Sequence, residues 1–147
     1  VGGQPKVTFS TNRVHVCYGT GSVKTRDRFS GTWQTPQPVI NPPEESYTHN
    51  LVVAGNLLYF IFGNQPGGPS FNPDMDISTK NRILSSSVWP SNTNVAEFAV
   101  QHFTVTKTYD NNLHLMYMRS GLFHEFFNGS IWSLIFNLLK FPLKPMQ

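Results

Sequence analysis

The feature that most limits what this chain can fold into is an internal repeat. The segment Asn12-Arg13-Val14-His15-Val16-Cys17-Tyr18 aligns without a gap on Asn111-Asn112-Leu113-His114-Leu115-Met116-Tyr117 at a shift of 99 positions. The same shift carries Val23 onto Leu122 and Trp33 onto Trp132, so the match spans about 20 residues. Because 99 is close to twice 50, a third unit is expected midway, and Asn56-Leu57-Leu58-Tyr59-Phe60-Ile61-Phe62, followed by Trp89, has the right aromatic-aliphatic run. Three units, at approximately 5–43, 47–95 and 96–147, then make the 147-residue chain a single repeat domain. Units of this kind bury their faces by stacking on one another.

Each unit reads as a short antiparallel sheet. Eleven Gly and eleven Pro break the chain too often for the long helices of a bundle, whereas turn signals between apolar runs are what hairpins require. A first strand (Lys6 to Ser10, Leu51 to Ala54, Phe98 to Thr106) leads into a second (Val14 to Tyr18, Leu57 to Phe62, Leu113 to Met118). A third follows (Val23 to Phe29, Arg82 to Ser86, Leu122 to Phe127), then a turn and a fourth strand carrying the Trp. The second strands are apolar at nearly every position, which predicts cover on both faces from sheets stacked face on face. Between Phe62 and Arg82 the Gly- and Pro-rich stretch 63–73 reads as an insertion of about twelve residues, a length typical of functional or disordered loops.

The run from Asp110 to Ser133, with Leu113-His114-Leu115-Met116-Tyr117, then Leu122-Phe123-His124-Glu125-Phe126-Phe127 and Asn128-Gly129-Ser130-Ile131-Trp132, resembles one blade of the tandem-repeat β-propeller lectins of fungi and bacteria. The first unit, Pro5 to Val39, is similar in Asn12 to Tyr18 and Ser30-Gly31-Thr32-Trp33, but has Thr25-Arg26-Asp27-Arg28 in place of the His-aromatic segment. Arg26 and Arg28 there resemble the Arg that fucose-binding members present from the same strand. The resemblance implies an all-β fold of three four-stranded blades and a non-catalytic, multivalent carbohydrate-binding protein. Three blades leave two apolar faces uncovered, and propellers usually have four to eight blades, so a homodimer closing a six-bladed ring is expected. The alternative fold is a β-trefoil, in which three units of this length close within one chain.

Sugar binding needs an aromatic face for the ring and a few hydrogen-bonding groups for its hydroxyls. The candidate carbohydrate-binding residues are Arg26, Arg28, Trp33, Trp89, Arg119, His124, Glu125 and Trp132. Each Trp could equally fill space between sheets, and His15 and His114 read as core histidines. An enzyme is not expected: no nucleophile or metalloprotease motif occurs, and the eight acids show no placement suited to a glycosidase pair. Glu44-Glu45 reads as a solvated loop, and Asp74-Met75-Asp76 lacks the rest of a calcium loop. No metal or other cofactor is expected. Glycans or glycoproteins are the expected partners, since the net charge of +3 is scattered and not gathered into a stripe for nucleic acid. The stretch Ile131 to Leu143 is too short and too interrupted to insert in a membrane. The single Cys17 excludes an intrachain disulfide and reads as a small buried hydrophobe. Two further functions stay open, a projection or attachment domain of a viral capsid or other larger polypeptide, and a glycosidase-like propeller fragment. Location follows accordingly: secreted, a cytoplasmic storage or defence protein, or a virion surface.

Overall fold

A computed structural model describes residues 3–19, 22–27, 30–40, 46–64, 75–91 and 94–140. These residues form twelve strands and no helix. The strands are β1 (Gly3–Ser10), β2 (Arg13–Gly19), β3 (Ser22–Asp27), β4 (Gln37–Pro38), β5 (Ser46–Ala54) and β6 (Leu57–Asn64), followed by β7 (Met75–Ile83), β8 (Asn94–Val100), β9 (His102–Lys107), β10 (Leu113–Met118), β11 (Gly121–Phe127) and β12 (Trp132–Lys140). They make three separate four-stranded antiparallel sheets, each with its strands in chain order: β1–β4, β5–β8 and β9–β12. No barrel closes among them.

The three sheets stack, with the middle one between the other two. Cys17 and Val23 of the first sheet, with Val39 just after β4, pack on Leu51, Val53, Leu58, Phe60 and Phe62 of the second. On the other side, Tyr59, Ile61, Ile77 and Val100 of the second pack on Leu113, Leu115 and Tyr117 of the third. Alternating residues of β6 therefore enter different interfaces, which is why the strand is buried from Leu58 to Gly63. Gly55, with φ 59, turns β5 into β6 as the first residue of a two-residue hairpin loop. At Gly63 a Cβ would run into the Met75 side chain, so a larger residue there would force Met75 to move.

Several expectations are corrected. Cover on both faces holds for β6 alone; β2 and β10 alternate, because each outer sheet has a neighbour on only one side. The third strand of the middle sheet is β7, starting at Met75, so Arg82 lies near its end and the segment 84–86 is outside it. The expected insertion shrinks to residues between β6 and β7, since Gly63 and Asn64 belong to β6; positions 65–74, with Asp74, are outside the described residues. The run Phe98 to Thr106 breaks at Gln101: β8 completes the second sheet and β9 starts the third, so β8 runs across the expected boundary at 95–96. Trp33 and Trp89 precede β4 and β8 and do not lie on fourth strands; only Trp132 does. β3 ends at Asp27, and Arg28, Phe29, Glu44 and Glu45 lie outside the described residues.

Candidate functional site

Two Arg–Trp pairs sit at the same register position of two sheets. On β3, Arg26 is the cross-strand partner of Val14, and on β7 Arg82 is the partner of Leu58. After each strand the chain turns back so that a Trp seven residues later meets the Arg. In the first sheet this turn is Ser30-Gly31-Thr32, with Gly31 at φ 66, and Arg26 and Trp33 form an isolated antiparallel bridge. Arg26 Nε donates to the Gly31 carbonyl at 2.8 Å, and its guanidinium carbon lies 5.8 Å from the Trp33 ring centroid, within cation–π range. In the second sheet the guanidinium carbon of Arg82 lies 5.2 Å from the Trp89 centroid.

The environments of the two pairs differ. Arg82 is 5% exposed between the first and second sheets. Its Nη1 donates to the carbonyls of Ile83 and Ser86, and its Nη2 donates to Thr25 Oγ1 at 3.2 Å. That hydroxyl lies 3.0 Å from His15 Nδ1, and Ser10 Oγ lies 3.1 Å from His15 Nε2. Both ring nitrogens thus have hydroxyl partners, which can donate or accept as the tautomer demands. Burial, then the charges of Arg82 and Arg13, push the His15 pKa down to about 4, so the ring is neutral at pH 7. Trp89 is half-buried and meets Phe60 edge-on at 6.3 Å. Trp33, by contrast, is 42% exposed, and Arg26 is exposed with it.

The best-matching unit does not assemble its expected site. Glu125 and Trp132 face the second sheet. Glu125 is buried and accepts from the Tyr117 hydroxyl at 2.9 Å, and Trp132 packs at 4.9 Å on Phe127 within the second core cluster. His124 is on the opposite face of β11, where its Nε2 lies 2.8 Å from His114 Nδ1 and the two rings stack. Arg119 is exposed in the turn between β10 and β11. Neighbouring residues of a strand point to opposite faces, so His124 and Glu125 cannot serve one site on that sheet. Of the eight candidates, then, the structure brings together Arg26 with Trp33 and sets Trp89 against Arg82; Arg28 is outside the described residues.

Arg82 was not among the candidates, although the sequence carries the signal. Ser22, Lys24, Arg26, Ser30 and Trp33 recur as Ser78, Lys80, Arg82, Ser86 and Trp89 at a constant shift of 56. The 99-residue shift hides this relation, because it carries Arg26 onto Glu125. In the sheets, moreover, β10 pairs one residue further before its turn, so His15 faces Thr25 whereas His114 faces Phe126. Among the described residues no group of three or more His, Cys, Asp or Glu is placed to hold a metal ion. Asn128, in a glycosylation sequon, uses its side-chain oxygen to accept from the backbone of Ser130 and Ile131, with Gly129 at φ 97 completing the turn.

Comparison of the chain with protein-family models, curated proteins and solved structures finds no match. The likeness to propeller lectins rests on the motifs themselves.

Proposed function

We infer that the three sheets are blades of a β-propeller and that the protein binds carbohydrate without catalysis, using the exposed Arg26–Trp33 pair as its contact. The observation that carries this reading is the open Trp33 ring, 42% exposed, with a guanidinium held beside it by the Gly31 carbonyl. An indole face covers the apolar side of a pyranose, and the Arg26 nitrogens not engaged at Gly31 donate to its hydroxyls. Trp132 and Glu125, enclosed between sheets, support the fold in this reading and contribute nothing to the sugar.

One observation favours a second reading, that of a purely structural segment of a larger assembly. The Arg82–Trp89 pair has the same construction and is enclosed by protein, with Arg82 spent on Thr25 and on two carbonyls. A glycan array separates the two. Binding by the wild-type chain that Trp33→Ala removes, with circular dichroism unchanged, supports the lectin reading. An array with no hit favours the structural one.

A further inference from the structure

The outward face of the third sheet gathers soft metal ligands. Alternation along β10 sends Leu113, Leu115 and Tyr117 into the contact with the second sheet, where all three are buried, and leaves His114, Met116 and Met118 on the other side. Directly opposed residues of neighbouring strands share a face. Thr104 and Thr106 of β9, opposite Met116 and His114, therefore lie on this side, as does His102, opposite Met118. On β11 the register brings His124 to the same side, opposite Met116. The outward positions of these three strands thus carry three imidazoles and two thioethers, and no carboxylate.

Two of the imidazoles already converge. His114 Nδ1 and His124 Nε2 face each other at 2.8 Å, with the rings stacked at 5.1 Å between centroids, and the Phe126 ring meets His114 edge-on at 5.5 Å. Two imidazole nitrogens bound to one ion at ~2.0–2.1 Å, at a tetrahedral angle, stand ~3.3 Å apart. An opening of roughly half an ångström therefore admits a metal, and both rings are only partly buried, so they have room to turn. The ring that donates in the His–His bond moves its proton to its other nitrogen through solvent, leaving two lone pairs aimed at one point. Met116, as the direct partner of His124, has its Cβ ~4.5–5.5 Å from that residue's Cβ, and three rotatable bonds let its thioether swing to the same point. The counterparts at the 99-residue shift offer no such site. His15 and Cys17 are fully buried between sheets, and both nitrogens of His15 are taken by the Ser10 and Thr25 hydroxyls.

We propose that His114 Nδ1, His124 Nε2 and Met116 Sδ bind a single cuprous ion on the outward face of the third sheet. The donor set selects the metal. Calcium and magnesium need oxygen ligands, and this face has no carboxylate to offer them. Structural zinc takes four ligands drawn from Cys, His and carboxylate, of which only two converge here. Thioether sulfur with imidazole is the soft combination that suits Cu(I). The bound ion ties β10 to β11, so it stabilises the fold as well as occupying it. Acid weakens binding, because protons compete for the imidazole lone pairs. The site is independent of sugar binding, since Arg26 and Trp33 belong to the first sheet and its loop.

The test is competition for cuprous ion between the protein and bicinchoninate in oxygen-free buffer, with circular dichroism to check each variant's fold. Wild-type protein is expected to withdraw one equivalent of copper and to unfold at a higher temperature when loaded. His124→Phe, which keeps a ring on the face, is expected to lower the affinity by more than the ~10–100-fold that losing a neighbour of a ligand costs. Met116→Leu is expected to lower it at least ~10-fold, whereas Met118→Leu, on the same face but outside the site, leaves it unchanged. Cys17→Ala removes the other soft ligand of the chain and is expected to bind copper as wild type does. Failure of wild type to compete overturns the proposal, as does copper retained by folded His124→Phe or lost by folded Cys17→Ala. An affinity that falls with Met118→Leu and not with Met116→Leu overturns it too. Copper binding with no glycan binding, or the reverse, separates this proposal from the lectin reading.

Discussion

Acid should destabilise this protein through His15, and the size of the effect follows from where the ring sits. It is fully buried between the first two sheets, within a network that includes the Arg82 guanidinium. Its pKa falls from the ordinary 6.5 to about 4, first by desolvation and then by Arg82 and Arg13. The folded chain therefore resists a proton that the unfolded chain accepts. The stabilising contribution is complete above pH 6.5, declines as pH falls toward about 4, and is gone below that value. A shift of this size corresponds to at most ~3 kcal/mol, a large part of the ~5–15 kcal/mol that holds a typical domain folded. His15→Gln keeps a polar side chain and removes the titration. Urea unfolding of wild type and variant at several pH values isolates the term, because every other titrating group is common to both. The stability difference in favour of wild type should shrink by up to ~3 kcal/mol between pH 7.5 and pH 4. A difference independent of pH over that range would refute the placement of a neutral His15 in this network.

The remaining predictions concern the core and the thiol. Phe60→Ala should cost ~3–5 kcal/mol by urea unfolding, since the ring is fully buried and touches His49, Phe62 and Trp89. A cost below ~1 kcal/mol would show that the first two sheets do not meet at this residue. Cys17, fully buried and with its pKa pushed up to about 11 by desolvation, should resist iodoacetamide at pH 8 in the folded protein and react once unfolded.

The all-β class was legible because turn residues and apolar runs leave no room for a long helix, and β10 falls at Leu113–Met118 as its pattern indicates. Boundaries were lost where the signal was tertiary. Nothing local in Phe98 to Thr106 marks Gln101 as the point where the chain leaves one sheet for the next. β7 is also hard to read, because Ser78, Thr79, Lys80 and Arg82 are polar yet buried; their cover comes from neighbouring sheets and not from their own composition. At the candidate site, Arg26 and Trp33, both assigned to the first unit, do come together, while His124 and Glu125 are parted because adjacent residues of β11 point to opposite faces. Arg82 is hidden for a different reason: it relates to Arg26 at a shift of 56, whereas the more extended repeat, at 99, carries Arg26 onto Glu125.

The functional claim is tested most directly by calorimetric titration of a saccharide selected on a glycan array into wild type, Trp33→Ala and Trp132→Phe. The account predicts a binding isotherm for wild type and Trp132→Phe, because Trp132 is packed between sheets, and none for folded Trp33→Ala. Unchanged binding by Trp33→Ala, or binding lost only with Trp132→Phe, would contradict it.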